Sequence, residues 1–221
     1  LLDPPAAAAA DGLWFHDPEG VLINVRAGEA APWAEAPEWH INSPGHYTRQ
    51  GERGYPPRDL VIKPRRLGHV LTFTTDFQRQ VDFYTRVLGL RLSDQSEGMV
   101  AFLHCQGGTD HHVLAFLAGD RPGFHHASFE VANIDEVGLG GRQMIAKGYR
   151  DGWGFGRHVI GSNFFHYIRD PWNGLAEYFC DIDHIPADMD WEAKNWPLED
   201  SLYVWGPDVP ADFPINFENP N

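Results

Sequence analysis

The histidines of this 221-residue chain are its most suggestive chemical groups, and there are twelve of them. A single histidine beside apolar residues is more often a hydrogen-bonded core residue than a ligand, so their grouping carries the argument. His69 lies near the start of one predicted strand, and His126 occupies the equivalent place in a later one. Glu177 stands among apolar residues, where a buried carboxylate must be paired or bind a metal. Two imidazoles and one carboxylate at one cavity would form the ligand set of non-haem Fe(II) oxygenases, which also accepts Mn(II).

The elements that must position these residues follow one order twice. The first unit is predicted to be a strand, a helix and three further strands, at residues 67–74, 77–88, 90–92, 99–104 and 113–117. The second unit repeats the strand and the helix and then has two clear strands, at residues 126–131, 134–147, 163–169 and 175–179. The glycine-rich residues 152–156 are interpreted as a flexible loop at the mouth of the site. Tandem βαβββ modules predict an α+β domain whose first strands meet around a pseudo-twofold axis, bringing His69 and His126 to one cavity with Glu177.

The rest of the chain is predicted to surround this domain. We expect residues 1–26 to be an N-terminal remnant of a further βαβββ module and residues 27–65 to be an irregular linker. Residues 66–180 are expected to form the catalytic paired βαβββ domain, and residues 181–221 an aromatic and Pro-rich tail packed on that domain. The remnant is recognised by a strand, the Asp17-Pro18 turn and a second strand. The linker has no helix or strand periodicity, and Trp33 and Trp39 suggest that it is held against the domain.

The charge balance is acidic, since 17 Lys and Arg against 31 Asp and Glu give a formal net charge of −14. Without a basic run, this balance argues against nucleic acid and anionic membrane surfaces as partners. No apolar run approaches the roughly 18 residues that cross a bilayer, so no membrane anchor is expected. The two cysteines, Cys105 and Cys180, lie far apart without a CxxC spacing, which argues against a disulfide scaffold or a structural zinc site and favours the reducing cytoplasm.

Around the three proposed ligands, the sequence resembles the type I extradiol ring-cleavage dioxygenases. These form the catechol 2,3-dioxygenase (metapyrocatechase) group of the vicinal oxygen chelate superfamily, which also contains glyoxalases and bleomycin resistance proteins. The resemblance rests on the positions of His69, His126 and Glu177, and on the strand, Asp-Pro turn and Gly that precede Glu177. It runs over residues 67–179, and more weakly over 200–207.

This resemblance implies a fold, a reaction and partners. The fold is the vicinal oxygen chelate fold, in which the modules form a half-open barrel around a metal site. The reaction is Fe(II)-dependent extradiol, or meta, cleavage of a catechol-type aromatic by O₂, which gives a 2-hydroxymuconic-semialdehyde-type product in aromatic compound degradation. The family resemblance also implies a homo-oligomer.

The resemblance further implies residues that handle protons and oxygen. The family's additional active-site histidine falls on His158, and its tyrosine falls on Tyr167. An upstream histidine falls on either His111 or His112, which the sequence leaves open with His111 preferred. Because a catechol must lose protons to chelate iron, His111 or His112 and Tyr167 are candidate bases. His158 is the candidate hydrogen-bond donor to an anionic oxygen species.

Several other residues near the site have two interpretations. Four aromatic residues either line a substrate pocket or pack on the surface: Phe124, Trp153, Phe155 and Trp172. His125 is expected on the sheet face opposite His126, because neighbouring residues of a strand alternate. Three further histidines are interpreted as structural: His104, His166 and His184.

Two other functions on the same fold remain open at this point. A glyoxalase-like lyase or isomerase would use Zn or Ni, but such sites usually have four protein ligands and only three are recognisable here. A metal-free binding or resistance protein would hold a hydrophobic ligand in the cavity between the modules. Such a protein has no reason to keep two histidines and a glutamate at equivalent strand positions.

Overall fold

The computed structural model describes residues 2–3, 11–29, 31–32, 36 and 38–218. The first element is a hairpin of strands β1 (Leu13–His16) and β2 (Leu22–Val25), which was expected from the Asp-Pro turn between them. The hairpin turn sits on the first helix of the domain. Within it, buried Asp17 accepts hydrogen bonds from Gln80 (2.6 Å) and from the hydroxyl of Tyr84 (3.1 Å).

The first module then follows the predicted order. It contains β3 (Arg66–Thr74), helix α1 (Phe77–Arg86), β4 (Arg91–Ser96), β5 (Val100–His104), the short β6 (Thr109–Asp110) and β7 (Leu114–Ala118). The side chain of Asp76 caps α1 by accepting a hydrogen bond from the backbone amide of Arg79, and Gly89 follows the helix at a positive φ of 77°. Val81 and Tyr84 of α1 pack on Leu103 and Phe116 of the sheet. Strand β4 is longer than predicted, because it continues to Ser96.

The second module repeats this arrangement with β8 (Gly123–Glu130), helix α2 (Ile134–Ala146), β9 (Asp151–His158), β10 (Phe164–Arg169) and β11 (Leu175–Cys180). Asn133 caps α2, and Gly148 follows it at a φ of 94°. Val137 of this helix packs on Val131 and on Ile62 of the preceding segment. Three short strands follow: β12 (His184–Ile185), β13 (Lys194–Trp196) and β14 (Tyr203–Trp205).

Ten of these strands form one mixed sheet in the order β13-β4-β5-β7-β3-β8-β11-β10-β9-β14. In each module the first strand pairs in parallel with the last, β3 with β7 and β8 with β11. The two modules join where β3 and β8 pair antiparallel. The predicted tandem βαβββ arrangement is therefore confirmed, with its pseudo-twofold axis between the two first strands.

The glycine-rich run is a strand and not the loop that its composition suggested. Strand β9 pairs with β10 on one side and with β14 on the other. Glycine is required there by close packing, because a Cβ on Gly152 would lie 2.7 Å from Leu175, and one on Gly156 would lie 2.7 Å from the ring of Phe165. The glycine-rich run is therefore a strand in which the absence of side chains allows neighbouring residues to pack close to the backbone.

The segments on either side of the domain also differ from the expectation. Trp33 lies outside the described residues, and Trp39 is 39% exposed, so Trp39 does not hold the linker down. Instead, Gln143 of α2 donates to the carbonyl of Leu60 (2.5 Å) and accepts from the amide of Ile62 (3.1 Å). The C-terminal segment is not wholly irregular, since β13 and β14 extend both edges of the sheet. No helix in the described part of the chain has the length and hydropathy of a membrane span.

Candidate metal centre

One row of side chains crosses the centre of the sheet. The strand register places His69 opposite Ser128, Ser128 beside Glu177, Glu177 opposite Tyr167, and Tyr167 opposite Trp153. Residues that are in register on adjacent strands point to the same face. The row therefore gathers side chains from both modules on one face of the sheet.

His126 joins this row because it lies two positions before Ser128 on β8 and so shares its face. Its Nε2 atom lies 3.7 Å from Oε2 of Glu177, and Nε2 of His69 lies 3.1 Å from the same oxygen. One ligand atom from each of the three residues falls within 4.8 Å of the others. The structure thus brings together the three residues that the sequence singled out as metal ligands.

The carboxylate of Glu177 is almost completely buried, with 1% exposure. It accepts hydrogen bonds from Ser128 and from the amide of Asn163 (3.1 Å). Burial acts to raise the pKa of Glu177, but its hydrogen bonds with His69 and Ser128 and the nearby histidines hold that pKa below its usual value. A buried negative charge beside imidazole nitrogens is an environment that a divalent cation compensates.

The donor set also fits a metal by its chemistry. Nε2 of His69 and Nε2 of His126 both face Oε2 of Glu177. Burial, reinforced by neighbouring His125 and His69, lowers the pKa of His126 and keeps its ring neutral, which is the state that coordinates metals. His69, His126 and Glu177 therefore offer the 2-His-1-carboxylate combination that suits iron or manganese.

His125 does not lie on the far face of the sheet, as its position next to His126 suggested. The register between β3 and β8 pairs Leu71 with His126 and Thr72 with Phe124, so His125 is the extra residue of a β-bulge. The bulge sets the ring of His125 against that of His126, with their Nδ1 atoms 2.7 Å apart. Nε2 of His125 lies 2.9 Å from the carbonyl oxygen of Phe213 in the C-terminal segment. Burial lowers the pKa of His125 to about 4.

The two adjacent histidines before β7 occupy different positions. The ring of His112 packs on that of His69, with centroids 4.2 Å apart, and lines the central cavity. His111 lies behind it, with Nδ1 3.0 Å from Nδ1 of His112 and Nε2 3.1 Å from the carboxylate of Asp94. The backbone amide of Lys194 donates to the other oxygen of Asp94. The sequence preferred His111 as the residue at the site, whereas it is His112 that faces the cavity.

His158 and Tyr167 form a pair at the edge of the same row. Nε2 of His158 lies 3.0 Å from the hydroxyl of Tyr167 and 3.8 Å from Oε1 of Glu177. The other ring nitrogen, Nδ1, lies 2.7 Å from the carbonyl oxygen of Leu202. Burial lowers the pKa of His158, and burial together with the charge of Glu177 raises the pKa of Tyr167. At neutral pH Tyr167 is therefore protonated and donates to a neutral His158.

The cavity in front of this centre has a polar end and an apolar end. The polar end is formed by five residues already described: His69, His112, His126, His158 and Tyr167. The apolar end is formed mainly by side chains of the first module: Leu71, Val100, Phe102, Ala115 and Leu117. Leu202 and Phe213 of the C-terminal segment close one side.

Only one of the four aromatic residues predicted at the substrate pocket lines this cavity, namely Trp153. Phe124 faces a neighbouring pocket because the bulge at His125 turns it away from the face of His126. Phe155 is itself the extra residue of a bulge between β9 and β10, and it packs beside Phe164 and Trp205. Trp172 is 80% exposed on the turn between β10 and β11. Phe124, Phe155 and Trp172 are therefore not part of the metal cavity.

The sequence reasoning also missed several residues of the site. Ser128 had a detectable signal, because it lies two positions after His126 and must share its face. Asn163 precedes a strand and had no such signal. The carbonyl groups of Leu202 and Phe213 are backbone atoms, which no side-chain pattern can reveal.

The chain matches a known family over the two modules. Residues 66–178 fit the model of the Glyoxalase/Bleomycin resistance protein/Dioxygenase superfamily. The chain belongs to this superfamily. This agrees with the family resemblance read from the ligand positions and with the observed fold.

Named relatives narrow the comparison within the superfamily. Metapyrocatechase 2 of Cupriavidus necator is 47% identical, over 99% of this chain and 68% of its own length. An iron-dependent extradiol dioxygenase of Rhodococcus jostii is 31% identical, over 88% of this chain and 62% of its own length. Among solved structures, the Mn(II)-bound glyoxalase from Novosphingobium aromaticivorans superposes with a TM-score of 0.72 at 25% identity, covering 95% of this chain and 62% of that one. The chain thus spans about two thirds of the length of these relatives. The enzyme class expected from the sequence, an extradiol dioxygenase, is the class of the relatives from Cupriavidus necator and Rhodococcus jostii.

Proposed function

We propose that this chain carries the metal centre of an extradiol dioxygenase that opens the ring of a catechol with O₂. The observation that carries the proposal is the convergence of His69, His126 and Glu177 at the module junction, in a chain 47% identical to a metapyrocatechase. Fe(II) is the proposed metal, and Mn(II) is the alternative because both metals appear among the relatives. When bound, the metal would hold the catecholate and O₂ side by side and pass electron density between them.

The first task of the protein is to remove a proton from the catechol. His112 lies against His69 at the polar end of the cavity, and burial together with the neighbouring histidines lowers its pKa. Its Nδ1 contacts His111, which in turn contacts Asp94. We assign to His112 the role of accepting the catechol proton, with His111 and Asp94 orienting its ring.

The second task is to provide a hydrogen-bond donor where negative charge develops on oxygen. In neutral His158, Nδ1 carries the proton and donates it to the carbonyl of Leu202. Nε2 therefore accepts a hydrogen bond from the hydroxyl of Tyr167. His158 becomes a donor at Nε2 only after it takes up a proton there. We assign that proton to the second hydroxyl of the catechol, after which His158 returns it to the reacting oxygen.

The shape of the cavity favours a catechol with an uncharged substituent. Its apolar end comes from β3, β5 and β7, and no Lys or Arg occurs among the described residues that line it. A carboxylate on the substrate ring would lose its hydration here and would find no charged partner in the apolar wall. Alkyl and aryl catechols therefore suit the site better than carboxylated ones. We expect the product to be a 2-hydroxymuconic-semialdehyde-type compound, as the family resemblance implies.

The direct test is reconstitution with Fe(II) without oxygen, followed by catechol, 3-methylcatechol or 2,3-dihydroxybiphenyl in air. We expect a yellow ring-fission product and about one O₂ consumed for each ring opened. The Glu177→Gln variant serves as the inactive control, and replacement of the exposed His184 by Ala serves as the matched active control. Tight binding of iron without ring opening of any of these catechols would contradict the proposal.

Cytoplasmic location and a homo-oligomer stay predictions. Size-exclusion chromatography with light scattering measures the assembly directly. Fractionation of the producing cells measures the location.

A further inference from the structure

The hydrogen bonds around His125 determine where the proton of His126 lies. The two Nδ1 atoms are 2.7 Å apart, so one hydrogen must lie between them and only one of the two nitrogens can carry it. Nε2 of His125 lies 2.9 Å from the carbonyl oxygen of Phe213, which can only accept. Nε2 of His125 is therefore the protonated nitrogen of that ring.

The consequence for His126 follows by elimination. In a neutral imidazole one nitrogen donates and the other accepts, so Nδ1 of His125 is an acceptor. The hydrogen between the rings then belongs to Nδ1 of His126, and Nε2 of His126 keeps its lone pair. That lone pair is on the side of Glu177, 3.7 Å from its Oε2 atom.

We infer that His125 is a positioning residue which, held by the Phe213 carbonyl of the C-terminal segment, fixes His126 in the tautomer whose Nε2 can bind the metal. The inference rests on the proposed metal centre but not on any particular reaction there. A ligand histidine commonly donates its second N–H to a neighbouring acceptor, which sets the ring orientation and raises its basicity. Here that acceptor is another histidine, whose own tautomer is set by a backbone carbonyl 88 positions along the chain.

Packing holds this chain of hydrogen bonds in place. Both histidine rings are 3% exposed. The ring of His125 meets Phe73 and Phe213 edge-on, with centroids 5.2 and 4.8 Å away. Phe213 in turn packs on Trp153 and Tyr167. The ring of His125 therefore has little freedom to turn over and exchange its two nitrogens.

The same C-terminal segment acts on a second histidine of the centre. The carbonyl of Leu202 accepts from Nδ1 of His158 at 2.7 Å, as the carbonyl of Phe213 accepts from Nε2 of His125. Two backbone carbonyls of the tail thus determine the tautomers of two histidines that line the cavity. The C-terminal segment therefore helps to form the metal centre as well as covering it.

The first test reads the tautomer directly in the metal-free protein. Nitrogen NMR of ¹⁵N-histidine-labelled protein distinguishes a protonated ring nitrogen from an unprotonated one, and His126→Gln and His125→Gln spectra assign the two rings. We expect His126 protonated at Nδ1 and bare at Nε2, and His125 the reverse. A His126 ring protonated at Nε2 would overturn the inference.

The second test measures Fe(II) affinity under anaerobic conditions. His125→Phe removes the acceptor for His126, and we expect a dissociation constant about 10- to 100-fold higher than in the parent protein. His125→Gln supplies an acceptor and a donor on one amide, so its affinity should stay close to that of the parent. Phe213→Leu keeps the carbonyl but removes the ring contact with His125, so its loss of affinity should be smaller than that of His125→Phe, which separates the backbone contact from ring packing.

The outcomes separate this inference from the proposed function. Unchanged affinity in His125→Phe, or equal losses in His125→Phe and His125→Gln, would overturn the positioning role. If His125→Phe fails to fold, the tautomer measurement and His125→Gln still decide the matter. A parent protein with the expected tautomers and tight Fe(II) binding that opens no catechol ring would contradict the proposed function and leave the positioning role standing.

Discussion

The carboxylate of Glu177 lies 3.1 Å from Nε2 of His69, although the two residues belong to different modules and are 108 positions apart in the chain. The contact spans the strand junction, since β3 carries His69, β8 carries Ser128, and β11 carries Glu177. A metal bound there would link β11, the last strand of the second module, to β3 and β8, the first strands of the two modules. The stability of the junction and the binding of the metal should therefore be linked.

Loss of any one ligand should abolish metal retention. We expect His126→Ala and Glu177→Ala to lose both stoichiometric iron and ring cleavage, because the remaining two ligands bind a divalent ion weakly. Elemental analysis after desalting measures the first effect and O₂ uptake measures the second. The exposed His184→Ala variant is the control, and stoichiometric iron in both ligand variants would refute the ligand assignment.

Bound metal should raise the stability of the fold. With free Fe(II) at 100 times its dissociation constant, the free energy of unfolding should rise by about 2.7 kcal/mol. Anaerobic denaturant unfolding with Fe(II) and with a chelator measures the difference. The Glu177→Gln variant should show no such gain, and an equal gain in that variant would place the metal elsewhere.

His158→Phe should retain iron but turn over slowly. The new ring can keep the stacking on Phe165, whose centroid lies 4.0 Å from that of His158, but it loses the acceptor for Tyr167. Loss of a general acid or base typically lowers the rate by about 100-fold or more. Metal analysis beside steady-state kinetics checks both parts, and an unchanged rate would remove His158 from the reaction.

Substrates with a charged ring substituent should be cleaved poorly. We expect 3-methylcatechol to have a higher kcat/KM than 2,3-dihydroxybenzoate by about 10-fold or more, because an unpaired carboxylate in an apolar wall costs more than about 1.4 kcal/mol. Steady-state O₂ uptake measured separately with each compound gives the ratio. A preference for the carboxylated ring would contradict the assignment of the apolar wall to the ring substituent.

Glu19 of the N-terminal hairpin should contribute to the free energy of unfolding at neutral pH, and this contribution should be lost in acid. Burial acts to raise the pKa of Glu19, but hydrogen bonds from Thr74, Thr75 and Asp76 hold it below its unfolded value near 4.5. Because the folded pKa is the lower one, the contribution is complete above the unfolded pKa and is lost as the pH falls through the folded pKa. Glu19→Gln should therefore destabilise the protein at pH 7 and less so at pH 3.

Denaturant unfolding at several pH values measures this difference. Exposed Glu29→Gln is the matched control, and it should leave the pH dependence unchanged. A difference between Glu19→Gln and the parent that does not shrink in acid would mean that the charge of Glu19 is not what holds the hairpin.

The predictable parts of the fold are those with local causes. Helix α1 was predicted at its start because Asp76 caps it and near its end because Gly89 takes a positive φ, and both signals lie within a few residues of the element. The three proposed ligands could be found because their residue types are costly to bury without a function. Their positions on equivalent strands then implied a common cavity once two modules were recognised.

The errors at Phe124, His125 and Phe155 share one physical cause, which is the β-bulge. Alternation along a strand predicts that Phe124 shares a face with His126, and Phe155 with Trp153. One extra residue, His125 in β8 and Phe155 in β9, breaks both patterns. A bulge depends on how a strand pairs with its partner, so the strand's own residues do not reveal it.

The sequence by itself therefore determined the modules, the candidate ligands and the family, because residue type and local spacing are sufficient for these. Only the tertiary structure decided that His112 rather than His111 meets the cavity, and which ring nitrogen of His126 is bare. Those choices depend on strand register and on backbone carbonyls of the tail, such as that of Phe213. A carbonyl group is the same in every residue, so its position becomes informative only when the chain has folded.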